Sequence, residues 1–424
     1  MPSRRSLLLG GVALGGAAAL LSMRPSKLGA GGHNNYFTNL NNVLRQNGEG
    51  RPTMIIDLDA LDHNVREVSR ALGGRDLRIV AKSVPSTSLI DYVSNLSGSN
   101  KLMAFHEPFL GAMGNQQSDI LFGKPMPVAA AARFYDRPAL KRFDPTTQLQ
   151  WLIDTPERLA QYAALAQTKN LPMRINIELD VGLHRGGVHD PAVLQQMLKT
   201  IERTPQLTFN GLMGYDPHVV KMPELIVGQQ EEFQQVQQRY QKMLDVALAS
   251  GTNSKNTNDL TLNAAGSPTY TLWGGVEGIA NELSIGSGFV KPLDFDLPSL
   301  ANHRPALFIA TPVLKSSAGT WTAGADWVGE AQSLWDPNRA RTIFIYGGYW
   351  QAKPVSPEGL VSNPLFGRSS NQEMLNASDA VDVNVDDYVF YRPTQSEFVM
   401  LQFGEILAVR KGQIEHRWKP FTWA

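Results

Sequence analysis

From residue 53 onward, short apolar runs alternate with longer stretches whose apolar positions recur three and four apart. Thr53-Met54-Ile55-Ile56-Asp57 reads as a strand. Leu58, Leu61, Val65, Val68 and Leu72 then share one helical face, with Asp59 as a candidate N-cap and Gly73-Gly74 as the stop. The same alternation predicts strands near 77–81, 101–105, 119–122, 149–153, 174–179, 208–213, 260–264 and 282–286. Helical patterns fall near 86–96, 106–114, 128–142, 156–169, 191–203, 222–250 and, more weakly, 268–274. Apolar strands separated by amphipathic helices imply a parallel sheet, and this many imply a closed (β/α)8 TIM-like barrel.

Beyond Pro292 the texture changes to short β-type runs at Ala306–Val313, Arg341–Tyr346, Tyr388–Tyr391, Phe398–Phe403 and Ile406–Val409, broken by Gly, Pro and Asn turns. The division that follows is a leader over 1–30, a connector and strand over 31–56, a barrel over 57–292 and an all-β domain over 293–424. The strand at 53–57 is expected to join the β domain, because a chain that starts and ends in one domain frames the other. The Gln-rich stretch 229–241 places Phe233, Val236, Tyr240 and Leu244 at helical spacing, so it reads as the solvated face of a helix.

Composition narrows the partners. The 424 residues carry 39 basic and 39 acidic side chains, which leaves no bulk charge to draw the chain to nucleic acid or anionic lipid and makes a small molecule the default. There is no cysteine, so any metal would need His, Asp, Glu or amide oxygens. Ser3-Arg4-Arg5-Ser6-Leu7-Leu8-Leu9 and the Gly/Ala/Leu run to Leu21 resemble a twin-arginine export signal, too short and Gly-rich for a confident membrane span. Export by the Tat machinery to the periplasm is therefore expected. Leu28-Gly29-Ala30 is the nearest cleavage-like site, and an uncleaved N-terminal membrane anchor is the alternative.

A barrel carries its chemistry at the C-terminal ends of its strands. Lys82 ends the run Leu77-Arg78-Ile79-Val80-Ala81, and Ser83-Val84-Pro85 stops the strand; an amine there can form an imine with a carbonyl cofactor. Asp180-Val181-Gly182-Leu183-His184-Arg185-Gly186-Gly187-Val188 follows the fifth strand, with glycines that let the backbone turn and Arg185 project into the mouth. Gly214-Tyr215-Asp216-Pro217-His218 follows the sixth, Ala265-Gly266-Ser267-Pro268 the seventh and Gly286-Ser287-Gly288 the eighth. Small residues with free N–H groups and hydroxyls on neighbouring late strands suit a phosphate.

In this order, Ala81-Lys82, Asp180-x-Gly-x-x-Arg185-x-Gly187-Val188, Tyr215, the Gly-rich turn and Glu282-Leu283-x-x-Gly286-Ser287 resemble the D-threonine aldolase and D-serine dehydratase family. These are fold-type III pyridoxal phosphate enzymes, distantly similar to alanine racemase. The resemblance covers residues 50–300 well and the β domain more loosely. It implies that Lys82 bonds to the cofactor and that Arg185 contacts the cofactor's phenolic oxygen. Tyr215 would lie near the pyridine ring, while Gly266, Ser267, Gly286 and Ser287 would hold the phosphate. It also implies a homodimer.

The resemblance weakens where the family binds a divalent metal. Arg392-Pro393-Thr394-Gln395-Ser396-Glu397 puts Gln395 and Glu397 at the two ligand positions, and Ser369–Glu373 carries glutamine where the family has histidine. An amide and a carboxylate make a poor zinc site, so metal dependence is the weaker expectation. Another group must then act on the substrate, and His218, beside Tyr215, and His184, beside Arg185, are the candidates. Tyr346-Gly347-Gly348-Tyr349-Trp350 either lines the pocket or packs the β domain. The activity implied is that of a lyase on D-amino acids with a β-hydroxyl, by retro-aldol cleavage or elimination. A racemase or epimerase and a non-catalytic cofactor-binding homologue are the alternatives.

Overall fold

The computed structural model describes residues 23–47, 50–113, 117–137, 143–221, 228–251, 257–322 and 324–422. The export-signal residues through Leu21 lie outside these, as do parts of the helical patterns ending at 142 and beginning at 222. Among the described residues no helix is long and apolar enough to cross a membrane.

β1 (Thr53–Asp57) precedes a helix over Leu58–Ala71, and the N-cap is Asp57 rather than Asp59. The Asp57 carboxylate accepts from the Ala60 N–H at 2.9 Å because Asp57 still has extended backbone, the conformation a cap needs. A closed parallel barrel follows, made by β2 (Asp76–Val80), β3 (Lys101–Ala104), β4 (Asp119–Phe122), β5 (Leu149–Ile153), β6 (Met173–Leu179), β7 (Leu207–Gly214), β8 (Thr261–Ala264) and β9 (Glu282–Ile285). Closure is by parallel pairing of β2 with β9, Leu77 opposite Leu283. All eight strands coincide with the apolar runs read from the sequence to within a residue or two.

The barrel interior is partly ionic. Arg78 is fully buried on β2 and binds Glu282 of β9 through two bonds of 2.5 and 2.8 Å, Asp119 of β4 at 2.8 Å and the Leu102 carbonyl at 2.9 Å. Burial opposes the Arg78 charge, but the two carboxylates outweigh it and push its pKa up. Asn263 ties Glu282 to Ser284, and Gln150 joins Asp119 to Thr261. Lys101, 3.0 Å from Glu282, and Arg174, 3.3 Å from Asp119, supply further positive charge to these carboxylates.

The chain divides into two units. One holds residues 56–307 together with 395–410 and 415–424; the other holds residues 1–55, 308–394 and 411–414. Texture alone assigned 395–424 to the β domain, yet most of it groups with the barrel, where the Phe421 N–H bonds the Pro85 carbonyl at 2.8 Å and Phe421 stacks on Phe109. In the β unit, β10 (Leu307–Ala318) pairs antiparallel with β11 (Arg341–Tyr346) and β15 (Tyr388–Pro393). β12 (Ala352–Ser356) adds to β15; β14 (Gln372–Ala377) adds to β11 and carries the short β13 (Val361–Ser362).

Three departures from the sequence reading stand out. The Asn-rich connector holds a helix, Asn35–Gln46, that buries Phe37, Leu40, Asn41 and Leu44, with Phe37 against Phe308 and Phe390. A second helix, Asp326–Trp335, interrupts the β unit. The β run expected at Phe398–Phe403 is a 3-10 turn over Met400–Gln402, because Phe398 has a φ of 57°, which no strand can contain.

Candidate functional site

Lys82 lies in a 3-10 turn, Ala81–Ser83, where β2 ends, and Ser86 caps the helix Thr87–Ser97 that follows. Its ammonium is 2.6 Å from Glu397 and 4.6 Å from the Phe105 ring centre. Phe105 is the first residue past β3, a strand-end position the sequence reading did not single out.

The β6 turn is built around Asp180. Its Oδ1 accepts the N–H groups of Gly182 and His184, each at 3.0 Å, and Oδ2 meets His184 Nδ1 at 2.9 Å. Burial pushes Asp180 up, but these donors outweigh it and hold the carboxyl below its ordinary range. Gly187, at φ 99°, permits the turn: an added Cβ would lie 2.7 Å from the Asp180 nitrogen. Arg185 is thereby carried over the Tyr215 ring, 5.0 Å from its centre and 4.0 Å from Glu178. Burial pushes Glu178 up to about 7 against the pull of Arg185, with Asp154 and Asp180 adding to the rise. Burial likewise pushes the Tyr215 phenol up to about 12, against Arg185.

A cup of small residues lines the same cavity as Lys82. Ser267 Oγ accepts the N–H groups of Gly286 at 3.1 Å and Gly288 at 2.9 Å, and the Ser83 and Ser287 hydroxyls are 3.1 Å apart. A Cβ on Gly266 would be 2.5 Å from the Tyr215 ring, and one on Gly286 would be 2.7 Å from Ser83 Oγ and Val80 Cβ. The cup is held from behind. His303 Nδ1–H donates to the Gly288 carbonyl at 2.7 Å while Nε2 accepts from the Tyr270 hydroxyl at 2.6 Å. Asp216, fully buried, accepts from the Thr269 hydroxyl and the Trp273 indole, and Thr269 Oγ1 accepts the Gly266 N–H. N–H groups gathered on one hydroxyl, with no room for added side chains and an amine lining the same cavity, suit a phosphorylated carbonyl compound.

Lys82, Arg185, Tyr215, Gly266, Ser267, Gly286 and Ser287 thus line one cavity. It continues into an outer cavity of about 400 Å³ whose wall includes His106, Lys124, Asp154, Glu178, Phe398 and Leu401. His106, Lys124 and Glu178 carry no motif; only their places just past or near strand ends could have flagged them. Burial lowers His106, with Lys124 adding, so its ring is neutral at pH 7. His218 and His184 are not brought here. His218 bonds Glu232 at 3.2 Å, and Arg239 takes the same carboxylate at 2.9 Å. His184 is 80% exposed and faces a different cavity, with His189 and Arg239. In the β unit, Glu373 pairs with Arg368 and accepts the Tyr349 N–H at 2.8 Å, and Trp350 packs edge-on against Tyr391.

Residues 56–265 match the family described as alanine racemase, N-terminal domain. The chain is 26% identical over 318 residues to 3-hydroxy-D-aspartate aldolase of Paracoccus denitrificans, covering 70% of this chain and 75% of that one. Its fold is similar to D-threonine aldolase from Filomicrobium marinum, with a TM-score of 0.67 at 16% identity over 87% of this chain and 96% of that one. It is also similar to D-threo-3-hydroxyaspartate dehydratase from Delftia sp. HT23, with a TM-score of 0.65 at 16% identity over 88% and 98%.

Proposed function

The chain belongs, through residues 56–265, to the alanine racemase N-terminal domain family, and on that premise we propose that it is a pyridoxal phosphate-dependent lyase of D-configured β-hydroxy amino acids. The observation that carries the reading is a single cavity lined both by the Lys82 amine and by a cup of small residues, Gly266, Ser267, Gly286 and Ser287. Substrate class comes from the relatives: each acts, by its name, on a D-amino acid that bears an oxygen at the carbon beyond Cα.

Pyridoxal phosphate, when bound, supplies a carbonyl for an amine and a ring that withdraws electrons from Cα. Lys82 is the amine that would hold it, and once displaced by substrate it carries a proton at Cα. Gly286, Gly288, Ser267 and Ser287 would supply N–H and O–H groups to the phosphate. Arg185, fixed by the Asp180 turn and the Tyr215 face, keeps a positive charge at the rim that favours ionised oxygens. Phe105 and Phe398 line the outer cavity beside Lys82 and Glu397.

The test is a purified protein incubated with pyridoxal phosphate. A visible absorption band should form and be absent in Lys82→Ala; no band in the wild type would end the reading. The loaded protein is then given D- and L-β-hydroxy amino acids, and aldehyde, keto acid and enantiomer are assayed. Aldehyde marks cleavage, keto acid elimination, and inversion alone would favour a racemase. The reading extends to a homodimer exported by the twin-arginine route, supported by the Arg4-Arg5 leader. Sedimentation and a reporter fusion to residues 1–30 test these two points.

A further inference from the structure

The carboxylate held against Lys82 comes from the C-terminal segment that rejoins the barrel. Glu397 Oε1 is 2.6 Å from Lys82 Nζ, and the two side chains are only 25% and 34% exposed. The backbone is bent to put it there. Ser396 is fully buried, Phe398 stands at φ 57°, and the Val399 N–H donates to the Glu397 carbonyl at 2.5 Å. A non-glycine residue at positive φ beside a cavity is strain that the surrounding packing must hold.

Gln395, two residues earlier, turns elsewhere: its amide donates to Asp294 at 2.6 Å. The two side chains therefore serve different partners, and among the described residues no group of three or more His, Cys, Asp or Glu converges as a cation would need. An amide and a carboxylate divided in this way do not fit a divalent metal. Two of the histidines are committed elsewhere, His218 to Glu232 and His184 to Asp180.

We propose that Glu397 is the general base for the substrate's β-hydroxyl, a role that rests on the lyase reading above. In the resting site it is the counter-ion of Lys82; when that amine is engaged the carboxylate is released for proton transfer. In cleavage the hydroxyl proton passes to Glu397 and the O–H electron pair becomes the second C–O bond of an aldehyde. The Cα–Cβ bond breaks, and the pair left at Cα takes a proton, so a glycine and an aldehyde account for every atom of the substrate. Lys82 from β2, His106 after β3 and Tyr215 after β7 face Glu397, and Lys124 and Arg185 line the same cavities.

The experiment compares wild type, Glu397→Gln and Glu397→Asp. Removing the counter-ion should speed the appearance of the visible band on adding pyridoxal phosphate by roughly twofold to fivefold, the size of a partly exposed ion pair. Turnover in Glu397→Gln should fall by about 10²–10⁴ with KM within a few-fold. Glu397→Asp, which keeps the carboxylate, should recover part of the turnover. Metal content measured by mass spectrometry should be the same in wild type and Glu397→Gln. A divalent metal held at one per chain in wild type and lost in Glu397→Gln would make Glu397 a ligand and overturn the proposal. So would unchanged band kinetics and turnover in Glu397→Gln. Failure of the lyase reading is distinct, because wild type would then form no Lys82-dependent band.

Discussion

Glu178 offers a direct test of the electrostatics at the β6 rim. Its carboxyl is 10% exposed, with Arg185 only at 4.0 Å. Burial raises it from 4.5 to about 7. The folded protein therefore keeps a proton that the unfolded chain releases above its own lower pKa. Stability should be undiminished by this group below about pH 4.5 and should decline as pH rises from there to about 7. At about 1.4 kcal/mol per pH unit the decline amounts to about 3 kcal/mol. Glu178→Gln keeps the shape and removes the charge. In cofactor-free protein the variant and wild type should melt together near pH 4. At pH 8 the variant should melt higher by roughly 6–12 °C, taking about 2–4 °C per kcal/mol for a unit of this size. A difference in Tm that is the same at pH 4 and pH 8 would refute the reasoning, because it would show that ionisation of Glu178 costs nothing in the fold.

Gly286→Ala would bring a methyl within 2.7 Å of Ser83 Oγ and Val80 Cβ; a cost of about 1–3 kcal/mol should appear as roughly tenfold or greater loss of pyridoxal phosphate affinity in a spectral titration. Arg78→Met leaves Glu282 and Asp119 without their shared cation and should cost about 3–5 kcal/mol in urea unfolding. His218→Gln lies outside both site cavities and leaves Glu232 its bond to Arg239, so band formation and turnover should stay within about threefold of wild type, the range of a side chain that makes no transition-state contact.

The barrel was legible in the chain because its evidence is local. Each strand is buried and apolar, each helix has one apolar face, and the period of the pattern changes at each boundary. The helix Asn35–Gln46 was missed although Phe37, Leu40 and Leu44 carry the helical spacing, because its asparagines read as a connector. Strand Gln372–Ala377 was missed for a related reason: Glu373 and Asn376 are polar yet buried, and Asn376 is satisfied by Thr320, Arg341, Thr342 and Asn363, none of them nearby in the chain. No window of residues contains those partners.

The sequence alone determined the alternation of elements, the strand-end places of Lys82, Arg185, Tyr215 and the Gly/Ser turns, and the absence of histidine from the segments around Gln372 and Gln395. These follow from backbone propensity and residue chemistry, which act over a few positions. Tertiary structure decided which side chain meets the Lys82 amine. Glu397 is 315 positions away and reaches it only because its segment returns to the barrel around a left-handed Phe398. It also decided the state of Glu178, whose pKa depends on burial and neighbouring charge that exist only once the barrel has closed.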